Sequence, residues 1–335
     1  MIDKNNYSLL GHNTFGMDVR CRRFIEFTSA EEAAETLPEI AKDDYLLLGG
    51  GSNVLFTKDY EGTVIHSAIK GIEEQPHGDR VVLRCGSGEN WDGIVEYCVS
   101  RNYHGAENLS LIPGDVGASA VQNIGAYGAE VKDIIESVEA IEIATGKSFT
   151  FTKEECQYSY RHSRFKTGWR NRFFITHVNY RLSLHFSPNL DYGNIRNILT
   201  EKDFSVPTAA QLRDAIIEIR RTKLPDPNIL GNAGSFFMNP IVAREQFDAL
   251  FSSYPNIPHY QVDDTRVKIP AGWLIEQCGW KGKSLGRAAV HDKQALVLIN
   301  KGGATGNDIV RLCESIRGDV LKKFGIEIKP EVYII

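Results

Sequence analysis

Apolar and polar positions fall into blocks along this chain, and the blocks differ in period. Tyr45–Leu48 is a short apolar run that breaks at Gly49-Gly50-Gly51-Ser52-Asn53 and resumes at Val54-Leu55-Phe56, which predicts strand, tight loop, strand. Val81-Val82-Leu83 predicts another strand. After Gly86-Ser87-Gly88, the spacing of Ile94, Val95, Tyr97 and Cys98 predicts an amphipathic helix over Trp91–Ser100. From Leu111 to Gly128 the period disappears; small residues dominate, and the stretch reads as loops. Strand-like runs return at 134–143 and 173–184. Thr208 is placed to cap a helix over 209–221, with Leu212, Ala215, Ile216 and Ile219 on one face; Pro225-Asp226-Pro227 stops it and marks a domain boundary. Further on, 273–278 predicts a short helix closed by Gly279, 295–299 a strand, and 308–324 a long amphipathic helix stopped by Gly325; 326–335 is extended. No repeat or low-complexity tract interrupts the pattern.

At 335 residues the chain exceeds the roughly 250–300 at which a single core usually stops growing, so two or three domains are expected. No apolar run approaches the ~20 residues of a membrane span, and the polar start Met1-Ile2-Asp3-Lys4-Asn5-Asn6 predicts a soluble, cytoplasmic protein. Six scattered cysteines without CxxC suit buried thiols, and the nine histidines contain no HExxH, so no metal site is expected. A net charge of −5 argues against a nucleic-acid surface. Local cations such as Arg220, Arg221, Lys223, Lys281 and Lys283 still allow a small phosphate-bearing ligand.

The run Gly231-Asn232-Ala233-Gly234-Ser235-Phe236-Phe237 predicts a glycine-flanked turn that presents a serine hydroxyl between apolar anchors; alone, it reads first as a tight turn with a capping serine, and the other motifs of the chain are what favour the functional reading. Gly86-Ser87-Gly88 opens like a dinucleotide fingerprint, but Trp91 occupies the third glycine position. Gly282-Lys283-Ser284 lacks the earlier glycine of a P-loop, and Ser235 is not in GxSxG. The loops at 49–53 and 111–128 read better together, as backbone donors for a diphosphate, with Gln122 and Asn123 as amides for a heterocycle edge and Tyr127 as a packing surface.

Gly49–Leu55, Ile112-Pro113-Gly114 with Gln122-Asn123-Ile124-Gly125-Ala126-Tyr127-Gly128, Tyr160-Arg161, Gly231–Phe237 and Pro330-Glu331-Val332 resemble, in order, the UDP-N-acetylenolpyruvoylglucosamine reductase (MurB) family. The resemblance covers nearly the whole chain. It implies an α+β protein with an FAD-binding fold of the vanillyl-alcohol-oxidase/PCMH type in two subdomains, 1–65 (with 326–335) and 66–222, and an α+β substrate domain over 223–325. It implies that Gly49, Gly50, Gly51, Ser52, Asn53, Ile112, Pro113, Gly114 and the Gln122–Tyr127 stretch hold FAD. No histidine lies in or beside Gly49–Asn53, so the FAD is expected to be non-covalent. Tyr192 resembles the tyrosine that longer members carry on a substrate-covering loop; Lys223, Asn239, Lys281 and Gln294 resemble substrate contacts. Met238 stands where relatives often have lysine, and Ala120 where proline is frequent.

The implied reaction reduces UDP-N-acetylglucosamine-enolpyruvate with NADPH through FAD, in a monomeric enzyme of peptidoglycan synthesis. Arg161 would stabilise the enolate-like charge, Glu331 would assist if protonated or paired with Arg161, and Ser235 would donate the proton. An alcohol-oxidising relative with the same FAD loops is an alternative, separable by substrate-dependent flavin reoxidation. A non-catalytic binder is another, which an unaffected Ser235→Ala protein would support.

Overall fold

The computed structural model describes residues 1–335 and divides into two compact units. The first is Met1–Ser8, Arg20–Gly50 and Tyr60–Arg220; the second is Leu9–Val19, Gly51–Asp59 and Arg221–Ile335.

The first unit holds two sheets. In the smaller, Tyr60–Ser67 runs parallel to both Arg20–Phe27 and Tyr45–Leu48, while Ile2–Ser8 joins the outer edge of Arg20–Phe27 antiparallel. Two parallel strands need a crossover. Between 45–48 and 60–67 that crossover is residues 49–59, which open with the glycine loop. The helix Ala30–Ile40, capped by Ser29 accepting from the Glu32 amide at 3.2 Å, covers this sheet with Ala33, Leu37 and Ile40 against Ile25, Phe27 and Ile65. The larger sheet is antiparallel throughout, in the order Ser148–Thr152, Ile135–Glu142, Phe173–Ser183, Arg80–Gly86, Ile72–His77. Trp91–Ser100 packs here, and Trp91 meets Tyr180 edge-on at 5.5 Å.

In the second unit Gly231–Ser235, Val297–Asn300, Ala288–Val290 and Ser284–Leu285 form one antiparallel sheet, and Ile241–Ala243, Arg266–Lys268 and Tyr260–Asp263 another. Val54–Leu55 pairs in parallel with Tyr333–Ile334. The helix Gly306–Phe324 opens on a Thr305/Asp308 capping box and closes on Gly325 at φ +64, burying Ile309, Leu312, Ile316, Val320 and Phe324.

The predicted elements recur with small shifts: Ala209–Lys223 runs two residues beyond its expected end, and the strand expected at 295–299 is Val297–Asn300. Two expectations are corrected. Within 111–128 the chain forms a helix, Val116–Gln122, built from residues small enough for close approach; a Cβ on Gly117 would lie 3.0 Å from the Ser87 Cβ. The segment Gly231–Ser235 is a bulged strand rather than a turn, because Gly231 and Asn232 pair with Asn300 and Ile299 before the register shifts to Ser235 opposite Val297. All six cysteines are free thiols; Cys278 alone is only half-buried.

Candidate active site

In the first unit the two glycine-rich loops meet. A Cβ on Gly50 would sit 3.1 Å from the Gly114 Cα, and one on Gly49 3.0 Å from the Ala118 Cβ. Only glycine lets these backbones approach so closely, which brings consecutive amides together as an anion cradle requires. In the second unit Gly51, at φ +65, lies against the His12 carbonyl, and its own carbonyl accepts from the Thr14 amide at 3.1 Å. The Asn53 carbonyl accepts from the Tyr333 amide at 3.0 Å, which fixes the end of the loop.

Leu111, Asn123 and Tyr127 all adopt positive φ, at +58, +44 and +48. Each such non-glycine conformation costs about 1–2 kcal/mol, and clusters of them accompany function. The bonds that impose them are visible. The Leu111 amide donates to Asp92 Oδ1 at 2.5 Å, while Asp92 receives a two-pronged contact from Arg213 at 2.6 and 3.0 Å. Burial pushes the Asp92 carboxyl up, but Arg213 and the Leu111 amide outweigh it and hold the group below the usual range. Asn123 Nδ2 donates to Glu130 Oε2 and the Ser159 carbonyl, both at 2.8 Å, and its Oδ1 accepts from the Lys132 amide at 3.1 Å. Its side chain therefore builds the loop, and the amide left for a ligand is that of Gln122, whose Oε1 is buried without a hydrogen-bond partner. A buried acceptor without a donor costs about 1–3 kcal/mol, which an N–H on a flavin or adenine edge would recover. The close glycine cradle and this orphaned acceptor fit FAD.

Tyr127-Gly128, both at positive φ, turn the Gly125–Ala126/Ala129–Glu130 hairpin. Arg161, at φ +54, sits in another tight turn closed by Ser159 and His162, and its Nη2 donates to the Gly125 carbonyl at 3.0 Å. Arg220 belongs to the same neighbourhood. Burial pushes its pKa down, Tyr127 and Asp92 oppose that, and Arg161 adds repulsion, while its Nε makes no hydrogen bond. Two guanidiniums held within reach of each other suit an anion, and nothing in the spacing of Arg220 marked it above the other surface cations. Tyr192 is exposed and meets Tyr127 edge-on at 6.5 Å. Asn108 Nδ2 ties the two segments by donating to the carbonyls of Tyr127 and Asn189 at 2.8 and 2.9 Å.

In the second unit Ser235 follows Gly234, at φ +65, and is half-buried between the bulge and the fully buried rings of Phe236 and Phe237. The Glu331 amide donates to the Phe236 carbonyl at 2.8 Å, so Ser235 and Glu331 sit on neighbouring backbone stretches. The other substrate-contact candidates make local contacts of their own. Asn239 Oδ1 caps the Ala271 amide at 2.9 Å, Gln294 Oε1 accepts from the Leu296 amide at 3.4 Å, and Lys281 pairs with Glu276 at 3.0 Å. Lys223 ends its helix exposed to solvent. No group of three or more His, Cys, Asp or Glu is placed to hold a metal, and no helix is long and apolar enough to cross a membrane.

Comparison with known proteins agrees with this geometry. Residues 22–152 match an FAD binding domain, and residues 226–335 match the UDP-N-acetylenolpyruvoylglucosamine reductase C-terminal domain. A UDP-N-acetylenolpyruvoylglucosamine reductase of Bacteroides fragilis is 55% identical over 99% of this chain and 100% of its own length. One of Porphyromonas gingivalis is 47% identical over 99% of both chains. The crystal structure of the Thermus caldophilus reductase (MurB) has the same fold, with a TM-score of 0.68 over 99% of this chain and 98% of that one at 20% identity. With two family domains in register and close relatives matched end to end, the chain belongs to the UDP-N-acetylenolpyruvoylglucosamine reductase family.

Proposed function

We propose that Arg161, Ser235 and Glu331 divide the chemistry of this flavoprotein oxidoreductase, which reduces UDP-N-acetylglucosamine-enolpyruvate to UDP-N-acetylmuramate for peptidoglycan synthesis. Bound FAD supplies hydride, taken from NADPH, to the terminal methylene carbon of the enolpyruvyl group. Negative charge then develops on the carbon beside the carboxylate. Arg161, always protonated, stabilises that charge, and the strain at its φ supports a functional placement. Ser235 Oγ–H delivers the proton to the same carbon, completing addition across the double bond, and Glu331 assists from the adjoining backbone. The observation that carries this reading is the bulge at Gly234, which presents Ser235 beside the Glu331 stretch.

Gly49–Asn53, Ile112–Gly114 and Gln122–Tyr127 hold the FAD without a covalent bond in this reading. Tyr192, Lys223, Asn239, Lys281 and Gln294 contact the sugar nucleotide, with Arg220 as a further anion contact. The working molecule is a cytoplasmic monomer partitioned as 1–65 with 326–335, 66–222 and 223–325.

Stopped-flow absorbance of Ser235→Ala is the test. Flavin reduction by NADPH should be unchanged, and reoxidation by the enolpyruvyl substrate should slow by about 10²-fold or more. Loss of the reductive half-reaction instead would remove Ser235 from its assigned role.

A further inference from the structure

His66 lies on the central strand of the parallel sheet, in register with Glu26 on one side and with Leu48, the residue before the glycine loop, on the other. Its ring bridges two acids: Nδ1 is 3.0 Å from Glu26 Oε2 and Nε2 is 3.8 Å from Asp115 Oδ2. The Asp115 carboxylate packs directly on the loop. A Cβ on Gly50 would lie 3.2 and 3.4 Å from its two oxygens, and one on Gly49 3.6 Å from the nearer. Among the groups facing the ring are Glu26 from the Arg20–Phe27 strand, Asp115 from the stretch after Pro113-Gly114, Leu48 from its own strand, and Phe24, which stacks at 6.0 Å.

A neutral imidazole carries one N–H, so whichever acid it served, its other nitrogen would turn a lone pair toward the second carboxylate. Protonated, it serves both. The trio then carries one net negative charge beneath the loop instead of two, which matters to any dianion seated there.

We propose that His66 is a positioning residue for the FAD diphosphate: as an imidazolium it neutralises Asp115 under Gly49–Gly50, so FAD is held most tightly while His66 is protonated. This rests on the assignment of the Gly49–Asn53 loop to FAD. Burial alone would push the His66 pKa down, but Asp115 and Glu26 outweigh it and hold the ring above its ordinary value. The stabilisation is therefore complete below about pH 6.5 and is lost as pH rises through the raised folded-state value.

The test is FAD affinity of the apoprotein, followed by quenching of flavin fluorescence from about pH 6 to about pH 8.5, a range in which FAD keeps its charge. In the wild type, Kd should rise about tenfold across the range. His66→Gln should bind about tenfold more weakly at the acid end and show no slope, and adding Asp115→Asn should restore affinity. A His66→Gln protein with wild-type affinity and slope, or a double variant as weak as the single one, overturns the proposal. A folded Gly50→Ala protein that binds FAD like the wild type would instead remove the loop assignment beneath it.

Discussion

Gly51 and Gly234 share a φ of +65, yet the structure makes only one of them irreplaceable. A Cβ at Gly234 meets nothing within 4 Å, whereas one at Gly51 would sit 2.0 Å from the His12 carbonyl oxygen. Gly234→Ala should therefore cost about 1–2 kcal/mol, the backbone term alone, while Gly51→Ala should cost more than about 3 kcal/mol or prevent folding. Equilibrium urea unfolding of the two variants checks this, and equal losses would contradict it. The glycines were legible in the sequence because glycine itself announces unusual backbone. What lies against each was not, since His12 reaches Gly51 only through the fold. Positive φ at Leu111, Tyr127 and Arg161 leaves no compositional trace at all. Nor does the half-burial of Arg220, or the sharing of one imidazole by Glu26 and Asp115.

Elements were readable where a stripe and a cap coincide. Trp91–Ser100 is found with both expected ends, because Asn90 Oδ1 accepts from the Gly93 amide at 3.0 Å and Ile94, Val95 and Cys98 share a buried face. Val116–Gln122 has no such stripe; it is chosen by how little space lies beneath it. Ile2–Ser8 is largely polar on both faces and is held to the edge of Arg20–Phe27 by cross-strand pairs, Tyr7 stacking on Phe24 at 4.3 Å and Arg23 forking onto Asp3. Between elements, the Arg213 fork on Asp92 joins Ala209–Lys223 to Trp91–Ser100 and, through the Leu111 amide, to the loop ahead of Gly114. Arg213→Met should cost about 2 kcal/mol, below the ~3–5 of a fully enclosed pair because Asp92 keeps some solvent contact, and it should loosen FAD. The Asp92 contribution has a depressed carboxyl behind it. It is present above about pH 4 and is lost as pH falls through the folded value, so the stability of Arg213→Met, followed by urea unfolding, should fall less steeply with acid than that of the wild type; an equal slope would mean that Asp92 is not involved.

At the scale of the molecule, the second unit is assembled from three stretches of chain. Phe15 packs edge-on to Phe236 at 6.2 Å, the Asn232 amide donates to the Thr14 carbonyl at 2.9 Å, and Thr57 takes the Ile335 carbonyl at 2.8 Å. A fragment of residues 221–335 lacks those partners. Expressed alone, it should show no cooperative thermal transition by circular dichroism, and adding peptides of 9–19 and 51–59 should recover part of it; a fragment that melts sharply unaided would refute this. The same interleaving sets an order of events during synthesis. Residues 9–19 and 51–59 leave the ribosome early, but the bulk of their unit begins only at residue 221. At ~5–20 residues per second, Phe15 and Phe56 wait roughly ten seconds or more for their partners. In that interval two apolar segments are exposed on a nascent chain, which makes them the natural landing points for a chaperone.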